Sequence, residues 1–253
     1  GIISVGGKRA ETLISFFDAF AEVCYKIIAM IMKTAPIGVF CLLLPVVVMN
    51  GPKVLLPLLS VIICMLIGCT IHAVCVYSAM TTVAAHMSPV TFFRGMSEAM
   101  AIAFTTCSSA GTLPVNMKNV QEKLGVHRDI ASFVLPLGAT INMDGTAIYM
   151  GVCSIFIANV FGVPLTFDQM MMIVLTGTLA SIGTAGVPGA GLIMLAMVLQ
   201  SVGLPLEGLA LVAGIDRVLD MFRTCLNITG DAAVAVVVNA SEQEVPSDIQ
   251  ITE

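Results

Sequence analysis

Charged residues are scarce in this 253-residue sequence and make up 11% of the chain. Soluble domains carry about 25%, so this scarcity excludes an ordinary soluble protein. The net charge of −5 argues against nucleic acid, and no nucleic-acid partner is expected. The eight cysteines show no paired metal-binding spacing, which argues against a zinc site and a disulfide framework. His72, His86 and His127 also lack ligand spacing and are predicted to be structural or surface residues.

Long apolar segments dominate the chain instead. Hydrophobic residues make up 58% of it, and the mean hydropathy is +1.01. The segments are much longer than a membrane barrel strand of about 10 residues, so the sequence predicts an all-α integral membrane protein. The chain begins at Gly1 without a methionine or a signal peptide. We therefore expect the C-terminal part of a longer protein, with further helices upstream.

Two apolar runs open the chain. The first covers residues 12–50 and holds Pro36, which predicts a kink or a break. A turn at residues 50–52 separates it from a nearly uncharged run at residues 54–80.

Two later apolar segments, at about residues 88–116 and 168–203, are interrupted by small and hydroxyl-bearing residues. The interruptions lie at residues 105–112 and 181–191. Each half has about 13 residues and measures about 20 Å, which is short of a hydrocarbon core of roughly 30 Å. We therefore predict two re-entrant helical hairpins, whose tips lie inside the membrane against protein or a cavity.

Basic residues predict opposite directions of entry for the two hairpins. Arg94, Lys118, Lys123 and Arg128 flank the first hairpin, whereas the connection at residues 162–168 has no lysine or arginine. Because basic residues mark the cytoplasmic side, the first hairpin is predicted to enter from the cytoplasm and the second from outside. Such an inverted repeat is typical of transporters that bind their substrate near the membrane midplane.

A row of polar residues crosses the last apolar segment, residues 205–240. Its members lie within roughly an 80° arc of one helical face and are Asp216, Asp220, Arg223, Asn227 and Asp231. Such a row is costly in a membrane and usually lines a bundle interior or a water-filled cavity. The alternative is an internal salt-bridge ladder that only neutralises itself.

The residue types in this row predict a ligand. Arg223 can bind a carboxylate through two parallel hydrogen bonds, and Asp220, one turn earlier, can receive an ammonium group. Together they predict a zwitterion with an additional acidic group. Asp216 can hold the Arg223 guanidinium when no ligand is bound, and Asp231 lies where a cation can bind. Arg217 faces about 100° away from Asp216, and we expect it to pair with another element.

A break in the helical pattern at residues 138–146 carries Asn142 and Asp144. A carboxylate, an amide and exposed carbonyls predict a site for a hard cation with oxygen ligands. The alternative is that Asp144 caps the second half-helix at Gly145. The hairpin tips carry Ser108, Ser109, Ser181 and Thr184. These residues can help to bind a carboxylate or a cation. The alternative is that the small residues of the tips only allow close helix packing.

Four of these motifs resemble those of the glutamate transporter family, the dicarboxylate/amino acid:cation symporters. They are S-S-A-G-T-L-P at 108–114, G-A-T-I-N-M-D-G-T at 138–146, S-I-G-T-A-G-V-P-G-A-G at 181–191, and the stretch 220–231. The resemblance extends from about residue 17 to residue 240. It corresponds to the C-terminal part of the family's sequence.

The resemblance implies a homotrimer in contact with membrane lipid and an elevator mechanism, in which a transport domain moves across the membrane against a scaffold. Residues 1–51 would belong to the scaffold and trimerisation domain, and residues 52–240 to the transport domain. The acidic tail at residues 241–253 is expected to be disordered and cytoplasmic.

The resemblance also implies the residues of a substrate pocket. Asp220 would bind the amine of the substrate, and Arg223 with Thr146 would bind its side-chain carboxylate. The second tip would close over the pocket. The full implied set is Ser109, Thr146, Val187, Gly191, Asp220, Arg223, Thr224 and Asn227.

Sodium ions are the implied coupling ions. One site would be formed by Gly138, Asn142, Asn227 and Asp231. A second would use the carbonyls of Thr140, Ser181, Ile182 and Thr184. A third would use Asn142 and Asp144 with ligands from a helix outside this sequence.

Some positions depart from the family's pattern. Archaeal members have an arginine at the position of Cys107, and animal members have one at the position of Met221. This chain has neither arginine and has Arg217 instead. Dicarboxylate transporters of the family lack an aspartate at the position of Asp220, so its presence favours an amino acid.

The leading hypothesis is a sodium-driven symporter for aspartate or glutamate, without enzymatic activity. It would lie in the plasma membrane of a bacterium, which is the inner membrane. An L-cystine or C4-dicarboxylate symporter is the alternative within the same family. An alternative of another class is an intramembrane aspartyl protease that uses Asp144 and Asp220. The Gly-x-Gly-Asp pattern expected of such a protease is absent around Asp144.

Overall fold

The structure, a computed structural model, describes residues 7–51 and 55–243. Helices joined by short connections make up these residues, and no strand occurs among them. The predicted all-α class is confirmed for the part of the chain that the structure describes.

The first of two compact units is Gly1–Pro45, and the second is Val46–Glu253. Helix α1 covers Gly7–Met32, and α2 covers Ala35–Asn50. The predicted break lies between them. Pro36 stands in the first turn of α2, where its missing N–H costs no helical hydrogen bond. The scaffold and transport roles implied for the two parts of the chain stay predictions.

The second unit contains the remaining helices. In chain order they are α3 (Leu55–Ile71, continued by π-helical turns at His72–Tyr77 and Met80–Ala84), α4 (Pro89–Thr106), α5 (Ser109–Glu122), α6 (Arg128–Ile141), α7 (Asp144–Val160), α8 (Phe167–Ile182), α9 (Ala190–Ser201), α10 (Gly208–Ala213) and α11 (Asp216–Gln243).

Three helical stretches of the described residues are long and apolar enough to cross a membrane, namely Leu56–Ala84, Arg128–Val160 and Asp216–Glu242. By contrast, α8 and α9 have 16 and 12 residues. At 1.5 Å per residue they measure about 24 and 18 Å, which is too short to span the hydrocarbon core. The second hairpin is therefore re-entrant, as predicted.

The first hairpin is formed by α4 and α5, and its tip lies at Cys107 and Ser108. It continues to Glu122, beyond the predicted end near residue 116. Asn116 and Asn119 in this extension are buried, whereas Lys118 and Glu122 are exposed. The side-chain amide of Asn116 donates a 3.1 Å hydrogen bond to the carbonyl of Ile228 in α11.

The two hairpins approach α11 from its opposite ends. The base of the first lies at the C-terminal end of α11, where the backbone N–H of His127 donates to Asn239 Oδ1 at 2.8 Å. Its tip reaches the N-terminal end, where Arg217 donates to the carbonyl of Thr105. The second hairpin is joined at its base, through α10, to that same N-terminal end. The predicted inverted repeat is confirmed, and its orientation relative to the cytoplasm stays a prediction.

Helix α11 turns its polar row into the interior of the unit, as the spacing predicts. All five members are buried, with exposed fractions from 1% to 7%: Asp216, Asp220, Arg223, Asn227 and Asp231. The helix runs past the predicted end near Ala240 to Gln243. The rest of the predicted disordered tail, residues 244–253, lies outside the described residues.

Candidate substrate and cation site

A small cavity lies where both hairpin tips, the break between α6 and α7, and the polar row of α11 meet. All eight residues of the implied substrate pocket line it: Ser109, Thr146, Val187, Gly191, Asp220, Arg223, Thr224 and Asn227. Residues outside that set also line it: Cys107, Met143, Thr184, Ala185 and Gly186. The cavity volume is about 10 Å³, which is close to the minimum for one water molecule. The pocket is therefore closed in this conformation.

The guanidinium of Arg223 is held on three sides inside this site. Its Nη2 and Nε lie 2.8 and 3.2 Å from Asp220 Oδ1. On another side, its Nη1 lies 3.6 Å from Asp216 Oδ1, which matches the predicted role of Asp216 as a holder. The ring of Tyr149 lies 4.5 Å beneath the guanidinium, a cation–π contact that the sequence pattern does not indicate.

The carboxylate of Asp220 has protein donors at both oxygens. Oδ2 accepts a 2.9 Å hydrogen bond from the backbone N–H of Gly189 in the second tip. Oδ1 accepts from Arg223 and, at 3.0 Å, from the hydroxyl of Thr224. Asp220 thus connects the second tip directly to the guanidinium that the sequence predicts as a carboxylate clamp.

Asn227 links α11 to the start of α7. Its Oδ1 accepts a 2.8 Å hydrogen bond from the N–H of Gly145, one of the free donors at the helix start. Its Nδ2 lies 3.3 Å from Thr146 Oγ1 and 3.1 Å from the sulfur of Met143. The start of α7 is therefore capped by Asn227, and the alternative of a cap by the Asp144 side chain is wrong.

The two hairpin tips contact each other directly. The hydroxyl of Ser108 donates a 2.9 Å hydrogen bond to the carbonyl of Gly186, and the N–H of Ala110 donates to the same carbonyl at 3.2 Å. Ser108 also caps α5, since its Oγ accepts from the N–H of Gly111 at 3.0 Å. These bonds close the cavity from the side of the tips.

The first implied sodium set is brought together around Asp231. Its Oδ1 accepts a 2.9 Å hydrogen bond from Asn142 Nδ2, which also lies 3.3 Å from the carbonyl of Asn227. A Cβ added at Gly138 would lie 2.5 Å from Asp231 Oδ1, so only glycine allows this approach. Asp231 Oδ2 is buried and has no hydrogen-bond partner among the described residues. This orphaned carboxylate oxygen fits a cation, which would supply the partner that the described residues do not.

The second implied set lies at the ends of two half-helices. Ser181 and Ile182 end α8, Thr184 follows them, and Thr140 precedes the last residue of α6. The N–H of Thr184 donates to the carbonyl of Ser181 at 3.0 Å, which orders this end. The second tip also comes close to the end of α6, since a Cβ added at Gly186 would lie 2.9 Å from the carbonyl oxygen of Ala139.

The two members of the third implied pair make hydrogen bonds to different partners, which lie next to each other beside Gly230. Asn142 faces Asp231, whereas Asp144 faces α3, where its Oδ2 accepts from the hydroxyl of Tyr77 at 2.8 Å. His72 Nε2 lies 3.2 Å from the same oxygen, so the prediction of a merely structural or surface histidine missed this contact. The π-helical turn at His72–Tyr77 carries both partners, and the sequence gives no sign of it.

Comparison with known proteins identifies the family of the chain. The model of the sodium:dicarboxylate symporter family matches residues 1–241. An excitatory amino acid transporter of Caenorhabditis elegans is 39% identical over 234 residues, which are 92% of this chain and 46% of that protein. Excitatory amino acid transporter 2 of Homo sapiens is 38% identical over 241 residues, 94% of this chain and 42% of that protein. The chain therefore spans about half the length of these relatives. It belongs to the sodium:dicarboxylate symporter family, a family of elevator-type membrane transporters.

Proposed function

We propose that the protein is a secondary active transporter that couples sodium influx to the uptake of an acidic amino acid, aspartate or glutamate. The observation that carries the proposal is the buried pair of Asp220 and Arg223 in a cavity enclosed by both hairpin tips. A carboxylate and a guanidinium on one helical turn match an ammonium and a carboxylate on one small molecule.

Binding would exchange internal bonds for bonds to the substrate. The substrate ammonium would replace the N–H of Gly189 at Asp220 Oδ2, which requires the second tip to move. The side-chain carboxylate would bind the guanidinium of Arg223, with Thr146 beside it. Asp216 and Tyr149 would keep that guanidinium aimed at the cavity. The closed tips would exclude water and release the substrate only after they separate.

Sodium would be held on the far side of Asn227. Asp231, Asn142 and the carbonyls of Gly138 and Asn227 would form the principal site, and Asp231 would balance the ion's charge. Because Asn227 lies between this site and the cavity, an ion would rigidify the residues that contact the substrate. The carbonyls of Thr140, Ser181, Ile182 and Thr184 would form a second site, and Asn142 with Asp144 a third.

The larger assembly is proposed on the family relationship alone. Residues 1–51 would form part of the scaffold of a homotrimer, and residues 52–240 the domain that moves elevator-fashion in contact with membrane lipid. The relatives named above are transporters, and we propose that this protein likewise has no enzymatic activity. A plasma-membrane location follows from the same relationship, and a bacterial inner membrane stays a prediction.

Thermal stability with and without ligands tests the coupling. Aspartate should raise the unfolding temperature strongly in sodium and only weakly in choline, because stabilisation grows with the logarithm of the ligand concentration divided by its dissociation constant. Arg223→Ala should abolish the effect of aspartate, whereas Arg128→Ala, at an exposed position, should preserve it. Sodium-dependent uptake of aspartate that survives Arg223→Ala would contradict the carboxylate assignment.

The alternatives within the family differ in the substrate. L-cystine and a C4-dicarboxylate such as succinate would compete with aspartate only if the site accepts them. Asp220 disfavours succinate, since succinate has no amine to meet the carboxylate. Competition by unlabelled cystine or succinate that equals competition by aspartate would favour one of these carriers.

The protease alternative requires two carboxylates that face one scissile bond. Asp144 binds Tyr77 and His72, while Asp220 binds Arg223 and the second tip, so their partners are different. These different partners favour transport. Cleavage of a reporter helix that is lost in Asp144→Asn would revive the protease.

A further inference from the structure

Arg217 binds the C-terminal end of α4, the first helix of the first hairpin. Its Nη2 donates a 3.2 Å hydrogen bond to the carbonyl of Thr105. This carbonyl is one of the last four of α4, which have no partner within the helix. No ion pair of the described residues involves Arg217, and its Nη1 is buried without a hydrogen-bond partner there.

The position of Arg217 is unfavourable for its own helix. It is the second residue of α11, and a cation at a helix N-terminus opposes the helix dipole. At the C-terminus of α4 the same charge is favourable, because that end carries about half a negative charge. The charge of Arg217 therefore stabilises the C-terminal end of α4 at the hairpin tip and does not stabilise α11.

Cys107 connects the end of α4 to the cavity. It has a φ of 55°, in the left-handed region that normally favours glycine after a helix. Its side chain is 1% exposed, its sulfur lies 4.0 Å from the backbone carbonyl of Arg217, and it lines the cavity. A side chain keeps such a conformation only where its surroundings determine it. Arg217 and the wall of the cavity are thus parts of one packed segment.

The charges around the cavity show what Arg217 changes. Asp216, Asp220 and Arg223 together carry a formal charge of −1, while the end of α4 is partly negative and the starts of α5, α7 and α9 are partly positive. An acidic amino acid also carries a net charge of −1 and would be repelled. Arg217 brings the formal charge of the four side chains to zero.

We propose that Arg217 sets the affinity of the substrate site for an anionic substrate. Its charge offsets the surplus carboxylate and the end of α4, and so allows the cavity to accept an anionic substrate. It is a positioning residue, which acts through Thr105 and Cys107 from behind the first tip without touching the substrate. The inference rests on the proposed function, since it concerns an acidic amino acid at that same cavity.

The experiment measures sodium-dependent aspartate uptake against aspartate concentration in proteoliposomes that contain the protein. Arg217→Gln keeps hydrogen-bond donors but removes the charge, and Arg217→Lys keeps the charge. Arg94→Gln is the matched control, since Arg94 is exposed on the same hairpin helix, about 16 Å before Thr105. Because the glutamine variant can misfold, a double variant Arg217→Gln/Met221→Arg returns a guanidinium one turn along α11.

Arg217→Gln should raise KM for aspartate about tenfold with little change in maximal rate, the size expected for one partly buried charge at a helix end. Arg217→Lys, Arg94→Gln and the double variant should stay within about threefold of the wild type. An unchanged KM in Arg217→Gln would overturn the inference. So would a tenfold rise of KM in Arg217→Lys or in the double variant. Absence of sodium-dependent uptake by the wild type would instead refute the proposed function.

Discussion

Ser108 and Gly186 join the two hairpin tips through a 2.9 Å hydrogen bond from a hydroxyl to a carbonyl. Loss of this bond should favour separation of the tips. A net hydrogen bond contributes about 1 kcal/mol, so Ser108→Ala should increase the population with separated tips about fivefold. Cys107, buried at the first tip, reports on this opening. Its rate of labelling by a thiol reagent, followed by peptide mass spectrometry, should rise by a similar factor.

Ser60→Ala is the matched control for this prediction, because Ser60 is exposed and its hydroxyl bonds only within its own helix. Its labelling rate at Cys107 should equal that of the wild type. Sodium with aspartate should slow the labelling in both proteins if the tips close over the substrate. Equal labelling of Cys107 in the two variants would mean that the Ser108 bond does not hold the tips together.

Substitution by alanine should affect stability differently at two glycines of α7, Gly145 and Gly151. A Cβ added at Gly145 would lie 2.5 Å from the backbone carbonyl oxygen of Arg223, whereas one added at Gly151 would meet nothing within 4 Å. Because backbone cannot yield cheaply, Gly145→Ala should destabilise the protein by about 1–3 kcal/mol and lower its unfolding temperature. Gly151→Ala should be neutral or stabilising, since alanine favours a helix. Equal unfolding temperatures for the two variants would show that α7 and α11 are not in close contact.

Local patterns in the sequence predict much of this fold. The spacing of Asp220, Arg223 and Asn227 places them on one face, and a charged face in an apolar helix has to be buried. Gly and hydroxyl-bearing residues at the hairpin tips disfavour a continuous helix, and both tips lie where they predict. These features depend only on neighbours within a few residues, which is why a single sequence reveals them.

Contacts between distant segments could not be predicted in this way. Asn227 caps α7 at Gly145, and Tyr77 meets Asp144, although 82 and 67 residues separate these partners. Which turn of one helix lies against another depends on the packing of the whole bundle. Asn116 shows the same limit, because the sequence predicts the end of the first hairpin near it, whereas the structure buries it within a helix against α11.

Asp231 should control the affinity for sodium. In Asp231→Asn the shape is kept, but the negative charge beside Asn142 is lost, and an amide competes poorly for a hard cation. The sodium concentration that gives half of the thermal stabilisation should rise at least about tenfold, the effect of a charged hydrogen-bond partner. Asp129→Asn, at an exposed position of α6, is the control and should leave that concentration unchanged. An unaltered sodium dependence in Asp231→Asn would remove Asp231 from the ion site.

The bond between Tyr77 and Asp144 should contribute directly to stability. The hydroxyl of Tyr77 donates to Asp144 Oδ2 at 2.8 Å, and hydrogen bonds to charged groups are worth about 1.5–3 kcal/mol. A double-mutant cycle of Tyr77→Phe and Asp144→Asn, measured by unfolding in denaturant without sodium, should give a coupling free energy of about 2 kcal/mol. His72→Gln, combined with Asp144→Asn, should couple less, because its 3.2 Å contact is longer. A coupling near zero for Tyr77 would mean that Asp144 is stabilised equally well without this hydroxyl, and that the π-helical turn does not orient the carboxylate.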